Sequence, residues 1–373
     1  MAGVYVHIPF CKQRCVYCDF YSTIDAAWQD TYVDTLIDEA RHRQCEVRQC
    51  FKTLYIGGGT PSQLKTDLMG RLVVGLREAL PLNAVEEFTV EVNPDDVTER
   101  YVHMLAACGV DRVSMGVQSF VDDELRFIRR RHDAQGARQA VLTLRHAGIN
   151  NVSGDLIYGI PSQTLDTWRY SVDQASALDV QHISAYNLSY ERGAPLWAMR
   201  ERGEVTELDD DTCVEMYQLL VRRLEAAGYE HYEISNFAKP GFYSRHNSSY
   251  WDGTPYLGLG AAAHSFDGEV RRYNPADLQE YLDRINEQGI AYDEERLTAE
   301  EQYDETVMLA LRTARGLDTA IIHDRFGQDT YDYLMRQARQ HIDEGRLTAL
   351  GGQLRLTPEA VMLADAIIRD LFL

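Results

Sequence analysis

The chain alternates short runs of apolar residues with longer stretches in which apolar residues recur at helical spacing. The short runs have the length and composition of β-strands, whereas the longer stretches predict α-helices with one buried face. Six strands are predicted in the first half of the chain: Val4–Ile8, Thr53–Ile56, Glu87–Val92, Arg112–Val117, Asn151–Ile157 and Gln181–Asn187. Because helical patterns lie between these strands, the sequence predicts an α/β fold, with parallel strands in an open or closed partial (β/α)6 barrel.

The helical patterns also predict faces and ends. In the first of them, Trp28, Tyr32, Leu36 and Ala40 recur at four-residue intervals, which predicts one buried face. Three later patterns end in a glycine that is followed by an apolar residue, at Gly109, Gly148 and Gly228. Glycine takes the left-handed conformation that closes a helix, so we expect these helices to end there.

The alternation of predicted strands and helices changes after about residue 240. The stretch KPGFYSRHNSSYWDGTPYLGLGAAAHS is rich in glycine, serine and aromatic residues and predicts loops with short strands. Three helices, Ala299–Arg312, Asp318–Phe326 and Thr330–Glu344, are then followed by a hairpin that turns at Gly351–Gly352, and by a last helix. The chain is therefore expected to consist of a barrel (1–235), a loop-rich connecting segment (236–298) and a mostly helical, winged-helix-like C-terminal domain (299–373).

Composition and charge narrow the possible partners. The chain has 373 residues and a formal net charge of −21, which repels nucleic acid and anionic lipid. Winged-helix modules often bind DNA, but the third predicted C-terminal helix mixes Arg336 and Arg339 with acidic residues, so we expect no nucleic acid partner. The sequence shows neither an apolar run of membrane-spanning length nor a signal peptide at its start, which favours a cytoplasmic protein whose membrane contact would come through partners.

Three of the seven cysteines, Cys11, Cys15 and Cys18, follow the first predicted strand within eight residues. A structural zinc site needs four ligands, and the other cysteines form no complementary pair at zinc-site spacing. Three thiolates instead leave one iron of a four-iron cluster open, as a catalytic cluster requires. The amino and carboxylate groups of S-adenosylmethionine can chelate such an iron. Three unligated thiols that lie close by chance are the alternative.

The stretch CKQRCVYC resembles the C-x3-C-x-aromatic-C signature of the radical S-adenosylmethionine superfamily. The longer stretch YVHIPFCKQRCVYCDF is similar to the group that contains the coproporphyrinogen III dehydrogenase HemN and related heme chaperones. This resemblance implies a 4Fe–4S cluster on Cys11, Cys15 and Cys18. It also implies that Tyr17 packs near the adenine of S-adenosylmethionine, with Tyr5 as a further contact.

Polar or glycine-rich stretches follow successive predicted strands, where barrel enzymes build their sites. The resemblance assigns further S-adenosylmethionine contacts to Gly58, Gly59 and Thr60 in YIGGGTPS, Glu91 in EVNPD, Gln118 in SMGVQSF, Arg130 in RRRH and Asp155 in GDLIYGIP. Taken singly, each of these residues is also consistent with an ordinary structural or surface role. The glycines are also typical of a tight turn, the glutamate of a capping or solvated acid, and a lone arginine or aspartate of a surface charge.

The stretch SRHNSSYWDG contains His246, Tyr250 and Trp251, which match an HNxxYW motif associated with heme binding in the heme-chaperone relatives. Histidine is a common axial ligand of heme iron, and aromatic rings suit a porphyrin face. The alternative is a loop histidine that caps a turn, with the two aromatic residues buried for packing. His7 and His264 are expected to be structural, although His7 also lies near the cysteines.

Two departures separate the chain from the dehydrogenases of this group. Those enzymes commonly carry a longer N-terminal extension over the active site, and a further cysteine two residues after the cluster motif. Here Asp19 and Phe20 follow the motif, and the first cluster cysteine is already residue 11. Without such a lid, fewer contacts would hold a substrate for decarboxylation.

The resemblance therefore favours a heme chaperone, with heme as cargo, apo-hemoproteins (respiratory membrane proteins among them) as acceptors, and a reducing electron donor. The runner-up is oxygen-independent coproporphyrinogen III dehydrogenation. Two further hypotheses are a radical enzyme that opens or modifies heme, and a purely structural iron–sulfur protein.

Overall fold

The computed structural model describes residues 2–46 and 49–373. Parallel strands at its centre confirm all six strands of the predicted barrel and differ from the prediction only at their ends. They are β1 (Ala2–Ile8), β2 (Phe51–Gly58), β3 (Glu87–Val92), β4 (Arg112–Gln118), β5 (Asn151–Tyr158) and β6 (His182–Asn187). Each strand pairs in parallel with the next, so all six carboxyl ends lie at one edge of the sheet.

Helices connect these strands and cover the sheet. They are α1 (Gln29–Arg43), α2 (Thr66–Ala79), α3 (Glu99–Ala107), α4 (Asp122–Phe127), α5 (Ala134–His146), α6 (Leu165–Ala177), α7 (Pro195–Glu201) and α8 (Asp210–Ala226). Short 3₁₀ turns lie at Ala26–Trp28, Pro61–Gln63, Leu82–Ala84, Pro94–Asp96 and Pro358–Leu363.

The predicted face of α1 is confirmed except at its first position. Tyr32, Leu36 and Ala40 are fully buried against the sheet and the neighbouring helices. Trp28 belongs to the turn that precedes the helix, where the helical period no longer applies, and it is 37% exposed. The three predicted glycine ends are confirmed, because all three residues have φ in the left-handed region (79° at Gly109, 87° at Gly148 and 84° at Gly228).

The segment after α8 adds strands to both edges of the parallel sheet. The further strands are β7 (Glu230–Glu233), β8 (Asn236–Ala238), β9 (Tyr256–Leu259), β10 (His264–Phe266), β11 (Val270–Tyr273) and β12 (Asp293–Arg296), with helices α9 (Arg245–Trp251) and α10 (Leu278–Gln288) between them. The strand order is β12-β11-β10-β9-β1-β2-β3-β4-β5-β6-β8-β7. The sheet is therefore open, and residues 236–298 form an integral part of it.

The C-terminal region has its own hydrophobic core and its own three-stranded sheet. Its elements are α11 (Ala299–Leu311), β13 (Leu317–Asp318), α12 (Thr319–Phe326), α13 (Gln328–Asp343), β14 (Leu347–Leu350), β15 (Gln353–Leu356) and α14 (Ala364–Asp370). The strands β14 and β15 form the predicted hairpin, with positive φ at both Gly351 and Gly352.

This region is attached to the edge of the large sheet by two backbone hydrogen bonds. Ile234 donates its N–H to the carbonyl of Arg312, and Ala314 donates to the carbonyl of Tyr232, both at 3.0 Å. Within residues 2–46 and 49–373, no helix is long and apolar enough to cross a membrane.

Candidate functional site

The cysteine-rich loop begins directly after β1. The backbone N–H of Cys11 donates to the Thr23 carbonyl at 2.8 Å, and the N–H of Thr23 donates to the Pro9 carbonyl at 2.7 Å, so the two ends of the loop are held together. All three predicted cluster cysteines are free thiols that remain partly exposed. The loop thus presents three soft donors from one short, closed segment.

These cysteines line a cavity of about 540 Å³ at the carboxyl ends of the parallel strands. The volume lies in the range of sites for one small molecule. Most of the predicted cofactor residues share its wall: Cys11, Cys15, Tyr17, Cys18, Gly58, Gly59, Thr60, Glu91, Gln118, Arg130 and Asp155. The structure therefore brings together residues that span more than a hundred positions of the sequence.

The glycine stretch at the end of β2 is needed for close packing against β1. Gly58 has a φ of 110°, and a Cβ at this position would lie 2.6 Å from the imidazole ring of His7. A Cβ on Gly59 would lie 2.8 Å from the backbone of Pro9. The N–H of Gly59 donates to the Ile8 carbonyl at 2.8 Å. Because no side chain fits here, the backbone of this stretch can form part of the cavity wall next to the cysteine loop.

Glu91 projects into the cavity from the end of β3. The Tyr55 hydroxyl donates to Oε1 at 2.7 Å, and the backbone N–H of Gly58 donates to Oε2 at 3.0 Å. Burial raises the pKa of Glu91 to about 7, although the Tyr55 hydrogen bond opposes that shift. A cationic ligand group in the cavity would stabilise the carboxylate and offset the cost of burying it.

Asp155 is a second acid on the cavity wall. Burial raises its pKa to about 6, while hydrogen bonds from neighbouring serines oppose the shift. One of these serines is Ser114, whose hydroxyl lies 3.1 and 3.2 Å from the two carboxylate oxygens. Two enclosed acids on the same cavity wall give the cavity the acceptors that an ammonium group or ribose hydroxyls need.

Arg130 connects the cysteine loop with the middle strands. Its Nη1 lies 3.5 Å from the Cys15 sulfur, and its Nη2 donates to the Gly116 carbonyl at 2.6 Å and to the side chain of Asn93. Its Nε is buried without a hydrogen-bond partner within the described part of the chain. Gln118 lies at the neighbouring strand end with a φ of 68°, a left-handed conformation that is uncommon outside glycine.

Burial also affects the thiols. It raises the pKa of Cys11, and it raises the pKa of Cys18 to about 11, while the Arg14 guanidinium acts in the opposite direction on both. Metal coordination removes the thiol proton outright. Without a metal ion, Cys11 and Cys18 therefore carry little thiolate at neutral pH and are poor nucleophiles.

Two residues near the cysteine loop, Tyr5 and His7, lie behind the cavity wall. The Tyr5 hydroxyl lies 3.1 Å from Nδ1 of His7, whose Nε2 lies 3.2 Å from the Tyr21 carbonyl. Burial lowers the pKa of His7 to about 4, so the ring is neutral at physiological pH. Tyr5, which the sequence predicts as an S-adenosylmethionine contact, thus supports the wall from behind and is not among the residues that line the cavity.

The predicted heme motif lies on α9, close to the opposite, amino ends of the strands. His246 is 1% exposed, and its Nδ1 and Nε2 lie 2.8 Å from the Thr53 hydroxyl and 2.9 Å from the Tyr250 hydroxyl. Burial lowers the pKa of His246 to about 3. Both ring nitrogens are engaged within the protein, whereas Trp251 at the end of the helix remains partly exposed.

Sequence reasoning missed several cavity residues. They are Arg14, Tyr55, Asn93, Ser114, Ser184, Tyr186 and Asn247. Ser184 and Tyr186 lie near the end of β6, where the same search of strand ends would have found them. Asn247 enters the cavity from α9, and no local pattern indicates that a residue so distant in sequence reaches the barrel interior.

Comparison with known protein families agrees with this geometry. The Radical SAM superfamily model matches residues 5–175, and the HemN C-terminal domain model matches residues 297–363. A solved structure with the same fold is coproporphyrinogen III oxidase (HemN) from Escherichia coli, with a TM-score of 0.87 and 24% identity over 100% of this chain and 90% of that one.

Full-length relatives are more similar in sequence. The heme chaperone HemW of Bacillus subtilis is 33% identical over 371 residues, which are 98% of each chain. HemW of Mycobacterium tuberculosis (strain H37Rv) is 34% identical over 99% of this chain and 94% of that protein. HemW of Escherichia coli is 38% identical over 72% of each. The chain therefore belongs to the HemW family of heme chaperones within the radical SAM superfamily.

Proposed function

We propose that this protein is a heme chaperone that binds heme and transfers it to acceptor hemoproteins, and that it holds a 4Fe–4S cluster and S-adenosylmethionine in the cavity described above. The observation that carries the proposal is that similarity to proteins named heme chaperones extends over 98% of the chain. The cavity wall, with three cysteines beside enclosed acids and an arginine, supports the cofactor part.

The donor set fits a cluster with one open iron. Cys11, Cys15 and Cys18 supply three soft ligands beside one cavity, and iron–sulfur clusters are held by cysteine thiolates. Among residues 2–46 and 49–373, no three His, Cys, Asp or Glu side chains form a preformed metal-ligand group. The three thiols thus share a cavity wall rather than a completed site. When bound, such a cluster supplies a single electron to the sulfonium of S-adenosylmethionine.

The residues around the cysteines suit the rest of that cofactor. Glu91 and Asp155 offer enclosed acceptors for the ligand ammonium or ribose hydroxyls, and the Arg130 guanidinium fixes the Cys15 side of the cavity. Gly58 and Gly59 let the backbone approach the ligand closely. These residues bind and orient; in our proposal none of them transfers a proton.

The cargo needs a place of its own, because the cavity volume is in the range of a single small molecule. His246 has no free ring nitrogen in this arrangement, so heme ligation by it would require loss of its bond to Thr53 or Tyr250. Tyr250 and Trp251, the two aromatic residues of the predicted heme motif, are both partly exposed and so have surface that can contact a porphyrin face. We place the protein in the cytoplasm, with a reducing electron donor and apo-hemoproteins, respiratory membrane proteins among them, as partners.

Coproporphyrinogen III dehydrogenation is the second candidate, because the solved HemN structure has the same fold. At 24% identity this likeness shows the fold alone. The dehydrogenases commonly have a cysteine at the position that Phe20 occupies here, and Phe20 is 65% exposed beside the cavity. The full-length relatives with higher identity are named heme chaperones, which favours the first candidate.

Anaerobic reconstitution tests the proposal directly. Iron and sulfide are counted, S-adenosylmethionine is added while the cluster spectrum is followed, and heme is titrated in the same preparation. We expect four irons per chain, a spectral change on adding S-adenosylmethionine, and transfer of bound heme to an apo-cytochrome. Zinc in the site, a cluster with every iron held by protein atoms, or consumption of coproporphyrinogen III would overturn the proposal.

A further inference from the structure

We propose that His246 and Tyr250 are positioning residues for the S-adenosylmethionine cavity: they hold Tyr55, and through it the Glu91 carboxylate, in place. This inference rests on the proposed function, because it assigns a role within the same cavity. It gives the HNSSYW motif an inward-facing role that is independent of heme ligation.

The first step is the contact between His246 and Tyr55. The two rings are stacked, with centroids 5.0 Å apart and planes 27° from parallel. Tyr5 is the third ring of this group, with its centroid 6.1 Å from that of Tyr55 and 6.4 Å from that of His246. Tyr55 is 7% exposed, so its ring is enclosed within the barrel interior with His246 as a stacked neighbour.

The second step leads from Tyr55 to the cavity. The Tyr55 hydroxyl donates to Oε1 of Glu91 at 2.7 Å, and that carboxylate lines the cavity. A Cβ on Gly57 would lie 2.8 Å from the Tyr55 ring and 2.9 Å from the Glu91 carboxyl, which shows how closely this pair is packed. A tilt of the Tyr55 ring would therefore move the hydrogen bond that orients Glu91.

The third step is the anchoring of His246 itself. Its Nδ1 lies 2.8 Å from the Thr53 hydroxyl of β2, and its Nε2 lies 2.9 Å from the Tyr250 hydroxyl one helical turn later. The Tyr250 ring also meets the imidazole edge to face, at a centroid distance of 5.1 Å. Both the position and the rotation of the imidazole ring are thereby fixed.

The helix that carries this pair is fixed in turn. The backbone N–H groups of Arg245 and His246 both donate to the Glu87 carboxylate of β3 at 3.0 Å. The next residue, Asn247, lines the cavity. α9 thus contributes Asn247 to the cavity wall and also contacts the cavity residue Tyr55 through His246.

A double-mutant cycle tests the inference in protein reconstituted with its cluster. The dissociation constant of S-adenosylmethionine is measured for His246→Gln, Tyr55→Phe and the double variant, and the cluster spectrum is followed as the ligand is added. We expect each single variant to weaken binding on the order of tenfold, roughly the worth of one hydrogen bond to a charged group. The double variant should weaken it by about the same tenfold, because residues that act through one contact are not additive.

Tyr250→Phe, which removes only the hydroxyl, should give a smaller loss of S-adenosylmethionine affinity. His264→Gln is the matched control, because His264 is an exposed histidine of the same region and lies outside the cavity. Iron content and thermal unfolding of every variant show whether it has folded. Binding of the cluster-free proteins to S-adenosylhomocysteine provides a readout that does not depend on the cluster.

Each outcome has a distinct meaning. Two results would overturn the positioning role. One is a double variant whose loss of S-adenosylmethionine affinity is the product of the two single losses. The other is a His246→Gln variant with unchanged S-adenosylmethionine affinity but lost heme absorbance. If the wild-type protein binds no S-adenosylmethionine, the proposed function itself fails, and the positioning role fails with it. If the wild type binds the cofactor but not heme, the chaperone function fails while the cycle still decides the role of His246.

Discussion

The two ends of the barrel interior both carry potential ligand side chains, but these side chains face a cavity at one end and are buried at the other. At the carboxyl ends of the strands, three cysteines and two enclosed acids line an open cavity. At the amino ends, His246 is buried with both ring nitrogens hydrogen-bonded. Side chains that the sequence alone presents as equal candidate ligands thus fall into two groups. Some face the cavity, and the others are buried with their polar atoms hydrogen-bonded within the protein. Substitutions at the carboxyl ends should therefore act on the cofactors directly, whereas those at the amino ends should act on the fold and reach the cofactors only through Tyr55 and Glu91.

The largest effect is expected at the cysteine loop. Cys15→Ser should abolish stable cluster assembly, because it leaves two of the three thiolate ligands, only half of the usual set of four. Iron and sulfide content and the visible absorbance of anaerobically reconstituted protein measure this. Cys45→Ser is the control, because Cys45 is an exposed thiol outside the cavity. Normal iron content in Cys15→Ser would remove the basis for the cluster assignment.

Glu91→Gln should produce the next largest effect. It keeps the shape of the side chain but removes the charge that would face the ligand ammonium, so we expect S-adenosylmethionine affinity to fall on the order of a hundredfold. Isothermal titration on reconstituted protein measures the change. Glu86→Gln is the control, because Glu86 is an exposed acid that directly precedes β3. This variant should bind the cofactor as the wild type does. Equal affinity in both variants would show that Glu91 does not contact the cofactor.

Titratable groups at the two ends of the barrel should also affect the pH dependence of folding stability in opposite directions. Folding raises the pKa of Glu91 from 4.5 to about 7, so the folded state holds more protons and stability falls as pH rises through that window. Folding lowers the pKa of His246 from 6.5 to about 3, so the unfolded state holds more protons and stability rises with pH between those values.

Between pH 5 and 7 these two contributions oppose each other, and each is on the order of 1 kcal/mol. In cofactor-free protein, Glu91→Gln should therefore make stability rise more steeply with pH than in the wild type. His246→Gln should make it rise less, or fall. Denaturant unfolding at the two pH values measures this, and slopes that change in the same direction for both variants would contradict the comparison.

The sequence predicts one end of the barrel better than the other, for a physical reason. Parallel strands place their carboxyl ends at one edge, so Glu91 and Asp155 could be assigned to one site from strand position and family resemblance. The role of His246 depends on burial and on partners that are distant in sequence, such as Thr53, and no local pattern contains that information. Asn247 was missed for the same reason, and Trp28 because the helical period does not extend into the turn before α1.

The smallest expected effect tests the amino end alone. Tyr250→Phe removes one hydroxyl and leaves Nε2 of His246 buried without its partner, which should reduce the free energy of unfolding by about 1 kcal/mol. Tyr273→Phe, an exposed tyrosine of the same region, should change it by less than about 0.5 kcal/mol. Denaturant midpoints of the cofactor-free proteins give both values, and iron content after reconstitution should be unchanged in each. The hydroxyl is hydrogen-bonded to His246 and not to a cluster cysteine. A loss of iron in Tyr250→Phe at unchanged stability would therefore show that the two ends are coupled more directly than through Tyr55 and Glu91.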